Sequence, residues 1–174
     1  MRCPFCGADN IAGIELCESC GSDLAGLDLP EARGGGVGRL MRDRLGDIEL
    51  TPPITVSADD TVAAVVREMR QARHGCVHVL DGERQTGIFT ERDVLSRVLL
   101  RDLDPSATPV SEVMTPRPTT LSVGEPPAHA IHRMVSQGFR HLPITRDGKL
   151  AGAISVRNLL RYIDGEILGA DPAP

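Results

Sequence analysis

The chain has no tryptophan, one tyrosine and three phenylalanines, so aromatics make up 2% of its 174 residues. A core built from such a sequence must be aliphatic. No apolar run reaches the roughly 20 residues that a membrane helix needs, so no membrane partner is expected. The opening Met1-Arg2-Cys3-Pro4 carries no apolar leader, and a cytoplasmic location is the expectation. Lysine is nearly missing: Lys149 is the single lysine among 19 basic residues. Arginine dominance of this kind can reflect a GC-rich genome. The net charge of −5 argues weakly against broad nucleic-acid binding, which wants a clustered basic face. No Ser/His/Asp or paired-carboxylate arrangement stands out, so the sequence gives little support to an enzyme. The remaining composition, 41% apolar and 25% charged, is ordinary for a soluble chain of one or two small domains.

Cysteine is scarce but placed. Four of the five cysteines are Cys3, Cys6, Cys17 and Cys20, two C-x2-C pairs, with Gly7 and Gly21 each following a pair. Thiolates so spaced can close tetrahedrally around one Zn²⁺. A disulfide pair would need an oxidising compartment, and a redox C-x-x-C would not need to be doubled. Glycine after each pair lets the backbone turn so that N–H groups can face sulfur. Four cysteine ligands leave no open coordination position, so the expected Zn²⁺ is structural. Its binding, worth roughly 10–16 kcal/mol, would supply the folding free energy of a segment poor in apolar residues. Cys3-Pro4-Phe5-Cys6-Gly7 and Cys17-Glu18-Ser19-Cys20-Gly21 resemble the knuckles of the short CPxCG zinc ribbons. A ribbon over 1–24 is therefore expected. A flexible linker and an entering helix follow over 25–46, with Gly34-Gly35-Gly36 in the linker and the helix near Arg39 to Leu45.

From residue 47 onward the chain repeats itself without a gap at an offset of 65. Pro53 meets Pro118, Thr55 meets Thr120, Ala63 meets Ala128, Met69 meets Met134, Gly87 meets Gly152 and Leu95 meets Leu160. Self-similarity at a fixed period means two copies of one supersecondary unit. Each copy reads as βαββα. Ile54 to Ser57 is β-prone, and Asp59 and Asp60 offer an N-cap. Val62, Val65, Val66 and Met69 follow with helical spacing. Cys76 to Leu80 and Thr86 to Thr90 are strands around a turn. Val94, Leu95, Val98 and Leu99 then form a helical apolar stripe. In the second copy Pro126-Pro127 starts the helix and Gly138 ends it. One unit of about 60 residues buries little surface alone, so two are expected to share a core.

Both copies carry one chemical sentence, Gly87-Ile88-Phe89-Thr90-Glu91-Arg92-Asp93 and Gly152-Ala153-Ile154-Ser155-Val156-Arg157-Asn158. Each is a strand, a glycine, a hydroxyl residue and a helix start, with Asp or Asn three residues after the hydroxyl. The N–H groups of a helix start suit phosphate, and a carboxylate one turn in can accept a ribose diol. Thr90-x-x-Asp93 also fits a capping box, which needs no ligand.

These motifs, with Glu112-Val113-Met114-Thr115-Pro116 and His141-Leu142-Pro143-Ile144, make the repeat similar to a tandem pair of CBS domains, a Bateman module. The resemblance covers about residues 47–165. It implies an α/β (α+β) fold of two βαββα repeats packed as a pseudo-twofold pair, preceded by the zinc ribbon. The domains would be 47–104 and 111–165, with a hinge at 105–110 and a tail at 166–174. It implies sensing of an adenosine-containing small molecule (AMP, ADP, ATP, NAD or S-adenosylmethionine), no catalysis, a homodimer and a protein partner that the sequence does not name. By the resemblance, Thr90 would hold phosphate and Asp93 the ribose in a first site, with Ile54, Thr55, Cys76 and Val77 at the adenine. A second site would use Thr119, Thr120, His141, Leu142 and Ser155. There Asn158 departs from the pattern, and an uncharged acceptor makes the weaker bond, so this site should be weaker or empty. Arg92 and Arg157 either pair with phosphates or are solvated.

Cys76, alone in an apolar strand, reads as a small core residue. His74 and His78 lack helical placement for a metal site. His129 and His132 are expected to be exposed. An alternative function is an adaptor whose ribbon docks on a partner while the repeats serve only as a dimerising scaffold.

Overall fold

The computed structural model describes residues 2–3, 5–11, 14–24 and 36–168. The linker positions 25–35, with Gly34 and Gly35, and the tail positions 169–174 lie outside the described residues. The fold is mixed α+β with two sheets, one in the order β1-β2-β3-β4 and one in the order β5-β6-β7. The elements are α1 Gly36–Arg42, β1 Thr55–Ser57, α2 Val62–Ala72, β2 Cys76–Asp81, β3 Arg84–Thr90, α3 Glu91–Asp93, β4 Thr115–Pro116, β5 Leu121–Ser122, α4 Pro127–Gln137, β6 His141–Arg146, β7 Lys149–Ser155 and α5 Val156–Tyr162. The offset of 65 holds to the residue: α2 maps onto α4, β2 onto β6 and β3 onto β7. No helix among the described residues is long and apolar enough to cross a membrane.

The chain divides into two compact bodies, one of residues 1–50, 121–141 and 154–174, the other of 51–120 and 142–153. In the second of these, β1 pairs parallel with β2, and β2 pairs antiparallel with β3. Val62, Val65 and Met69 of α2 pack with Val77, Val79, Phe89, Val98, Val110 and Val113. This core is aliphatic apart from Phe89, as the composition demands. Each fully buried Val or Met contributes roughly 1.5–3 kcal/mol.

Three local features differ from the sequence reading. Thr61, not Asp59 or Asp60, caps α2, and its side chain accepts from Ala64 N. Asp60 instead accepts from Ser57 N at 2.7 Å, while Thr108 O and Pro105 O take the N–H groups of Val62 and Ala63. The orphan donors of this helix start are thus met by the chain between the repeats. The entering helix ends at Arg42, because the N–H groups of Leu45 and Gly46 donate to Glu125 O and Val123 O. The helix after β3 opens as α3, widens to a π turn over Val94–Val98 and tightens over Leu99–Arg101. Of its apolar stripe Val98 is buried, whereas Leu95 and Leu99 are 60% and 58% exposed.

Candidate functional site

The four ribbon cysteines converge. Their sulfur atoms all lie within 4.8 Å of one another, with Cys3 to Cys20 at 3.8 Å and Cys6 to Cys17 at 3.6 Å. Zn–S bonds of about 2.3 Å in a tetrahedron put sulfurs about 3.8 Å apart, so the donor set fits a zinc-sized ion. Gly7 and Gly21 sit at φ 76° and 68°, a region that suits glycine. Their N–H groups donate to Cys3 O and Cys17 O at 2.9 and 2.8 Å, which closes the two knuckles alike. Burial pushes the Cys3 thiol up to about 12. Burial also raises Cys17, but the backbone N–H groups of Cys20 and Ser19 and the Asn10 side chain outweigh it and bring that thiol down to about 6. Beyond the sulfurs, Ser22 Oγ lies 2.9 Å from Cys20 Sγ and 3.2 Å from the His132 ring nitrogens. Phe5 meets the His132 ring at 5.0 Å between centroids. His132 and His129 are therefore half-buried rather than exposed: the ribbon packs on α4 at His132, and His129 bonds Glu125 at 3.0 Å. Burial, with Arg133 and His129 nearby, holds His132 below its ordinary pKa.

The helix start after β3 is built by strand register. Thr55 pairs with His78 and Cys76 with Thr90, so the starts of β1 and β2 and the end of β3 share one end of the sheet. Ile54, Thr55, Cys76, Val77, Thr90, Arg92 and Asp93 all belong to this one body. Ile54 and Thr90 are half-buried, Thr55 and Arg92 exposed, and Cys76 and Val77 buried. Burial, then the Glu91 charge, pushes the Cys76 thiol up to about 12, which suits a core thiol and not a nucleophile. Asp93 is only 7% exposed. Its Oδ2 accepts from Thr90 N at 2.9 Å and Thr90 Oγ1 at 2.7 Å, and its Oδ1 meets Arg97 Nε at 3.2 Å. The capping box read from the sequence is thus formed. Arg97 Nη1 also donates to Val113 O at 3.1 Å and Met114 O at 2.6 Å. Gly87 is glycine for space: a Cβ there would lie 2.1 Å from Met114 Sδ.

The helix start after β7 repeats the box with an amide. Asn158 Oδ1 accepts from Ser155 N at 2.9 Å and also meets Ser155 Oγ. Asn158 Nδ2 donates to Glu49 O at 3.1 Å. One turn on, Tyr162 donates its hydroxyl to Asp43 at 2.5 Å. Asn158 is buried, His141 and Ser155 half-buried and Arg157 exposed. Thr119, Thr120 and Leu142 fall in the other body.

Sequence reasoning missed Arg97 and Tyr162. They are equivalent at the same offset as Asp93 and Asn158, and their joint divergence was the available signal. It also missed that buried His78 is held by Gln85 at 2.9 Å.

The CBS-domain family model matches residues 45–100 and 110–165. A CBS domain-containing protein of Arabidopsis thaliana, CBSCBSPB1, is 36% identical over 121 residues, 68% of this chain and 22% of its own length. An uncharacterised 17.7 kDa protein of Acidianus ambivalens is 34% identical over 125 residues, 71% of this chain and 74% of its own. The chain thus spans about a fifth of the first relative and three quarters of the second. A CBS domain protein of Pyrobaculum aerophilum, solved in complex with AMP, superposes with a TM-score of 0.64 at 26% identity, over 73% of this chain and 99% of that one.

Proposed function

This chain belongs to the CBS-domain family, and on that premise we propose that its first repeat binds an adenosine-containing small molecule and passes the signal to a protein partner. Thr90 and Arg92 hold phosphate, Asp93 takes the ribose hydroxyls, and Ile54, Thr55, Cys76 and Val77 line the base. The observation that carries the reading is the register that sets the starts of β1 and β2 beside Thr90 and a buried carboxylate. A charged acceptor makes stronger bonds to a diol than a neutral one. The AMP complex of the Pyrobaculum relative supports the ligand class. The ribbon holds a structural Zn²⁺ through Cys3, Cys6, Cys17 and Cys20. The module is a cytoplasmic homodimer that regulates and does not catalyse.

Titration calorimetry of the zinc-loaded chain against AMP, ADP, ATP, NAD and S-adenosylmethionine tests this, with Asp93→Asn as the control. One ligand is expected to bind and to lose at least about tenfold in affinity in the variant, the loss of one charge-assisted bond. At 100 times its dissociation constant it should add about 2.7 kcal/mol of stability, roughly 5–10 °C in midpoint. Silence from all five would overturn the reading and leave the adaptor function.

A further inference from the structure

We propose that Asn158 and Tyr162 have turned the second helix start into a latch on the segment Asp43–Glu49, so that one helix start per chain, the first, serves a ligand. The ligand half of this inference rests on the function proposed above; the latch half does not. The offset of 65 pairs Asp93 with Asn158, Arg97 with Tyr162, Val113 with Ile48 and Met114 with Glu49. In the first repeat the segment before β4 presents the carbonyl oxygens of Val113 and Met114 beside a carboxylate. Both are acceptors only, so they cannot bond each other. Arg97 stands between them and donates to all three, to Asp93 at 3.2 Å, Val113 O at 3.1 Å and Met114 O at 2.6 Å.

In the second repeat the amide does both jobs. Its oxygen accepts from Ser155 N at 2.9 Å and its nitrogen donates to Glu49 O at 3.1 Å. No cation is needed at position 162, and Tyr162 there reaches Asp43 instead. The two exchanges are therefore one change. Asp with Arg keeps an anionic acceptor at the helix start. Asn with Tyr gives up the charge and ties two points, Asp43 and Glu49, to α5. A weakened ligand site would need only the first exchange. The second makes sense only if position 158 now serves the backbone of Glu49.

Three proteins decide the matter: the wild-type chain, N158D and N158D/Y162R. Without ligand, N158D sets a carboxylate against Glu49 O and should lower the thermal midpoint by about 5 °C. N158D/Y162R restores the first-repeat arrangement and should recover most of that loss. An N158D midpoint equal to wild type, or a double variant no better than N158D, would overturn the latch. With AMP as the calorimetric probe, the wild-type chain should bind one equivalent per chain; two equivalents would overturn the single-site claim. If neither AMP nor ADP, ATP, NAD or S-adenosylmethionine binds any of the three, the adenosine reading of the first repeat fails, and the midpoints still decide the latch by themselves.

Discussion

At the turn from β3 into α3 the first repeat carries Thr90, Asp93 and Arg97; at the turn from β7 into α5 the second carries Ser155, Asn158 and Tyr162 at the same spacing. Both turns form the same capping box. They differ in how the helix is tied to a segment that arrives from elsewhere in the chain. The first uses an anion and a cation, the second an amide and a phenol. A duplicated backbone thus leaves its side chains free to diverge in pairs, because a donor lost at one position can be supplied one turn away. The helices before these turns diverge too: α4 carries the ribbon at His132, whereas the equivalent position in α2 is Arg67, which is exposed.

Removing metal should break the comparison hardest. If binding supplies the folding free energy of the ribbon, roughly 10–16 kcal/mol, a chelator should unfold it. Hydrogen exchange would then show protection lost at the ribbon-facing side of α4 and kept in α2; equal loss in both helices would refute the docked arrangement. Asp93→Ala comes next, at about 3 kcal/mol in urea unfolding, since it takes their shared acceptor from Arg97 Nε, Thr90 N–H and Thr90 Oγ1. Gly87→Ala should cost about 2 kcal/mol by the same measurement, because Met114 must move aside. Tyr162→Phe, which deletes one hydrogen bond, should cost about 1 kcal/mol. Lys149→Ala, at an exposed ion pair with Glu83, should change stability by less than about 0.5 kcal/mol. A larger value there would mean that surface charge, rather than the helix-start ties, sets the scale.

Much of this was legible beforehand. The 65-residue offset placed α4, β6 and β7 from α2, β2 and β3, because periodicity and turn signals are local and copy with the sequence. The C-x2-C pairs announced their sulfur cluster for the same reason. Some of the misreadings involve partners far along the chain, and others a local departure from the regular pattern. Asp59 and Asp60 looked like caps, but Thr61 was nearer the helix start, and Pro105 and Thr108 served its remaining donors. His132 looked exposed on a helix face until Phe5 and Ser22 covered it. Leu95 and Leu99 looked like core at helical spacing, yet the widened turn after α3 leaves both largely exposed.

By itself the sequence determined the elements, their duplication, the aliphatic character of the core and the four-thiol set, since each depends on residue type and short-range spacing. Only the tertiary structure decided what Asp93 and Asn158 bond beyond their capping boxes. Asn158 meets a carbonyl 109 residues away, and the carboxylate of Asp93 is shared with an arginine that holds two carbonyls 16 and 17 residues further on. A hydrogen-bond partner is chosen by where the backbone returns in space, and no local pattern encodes that return.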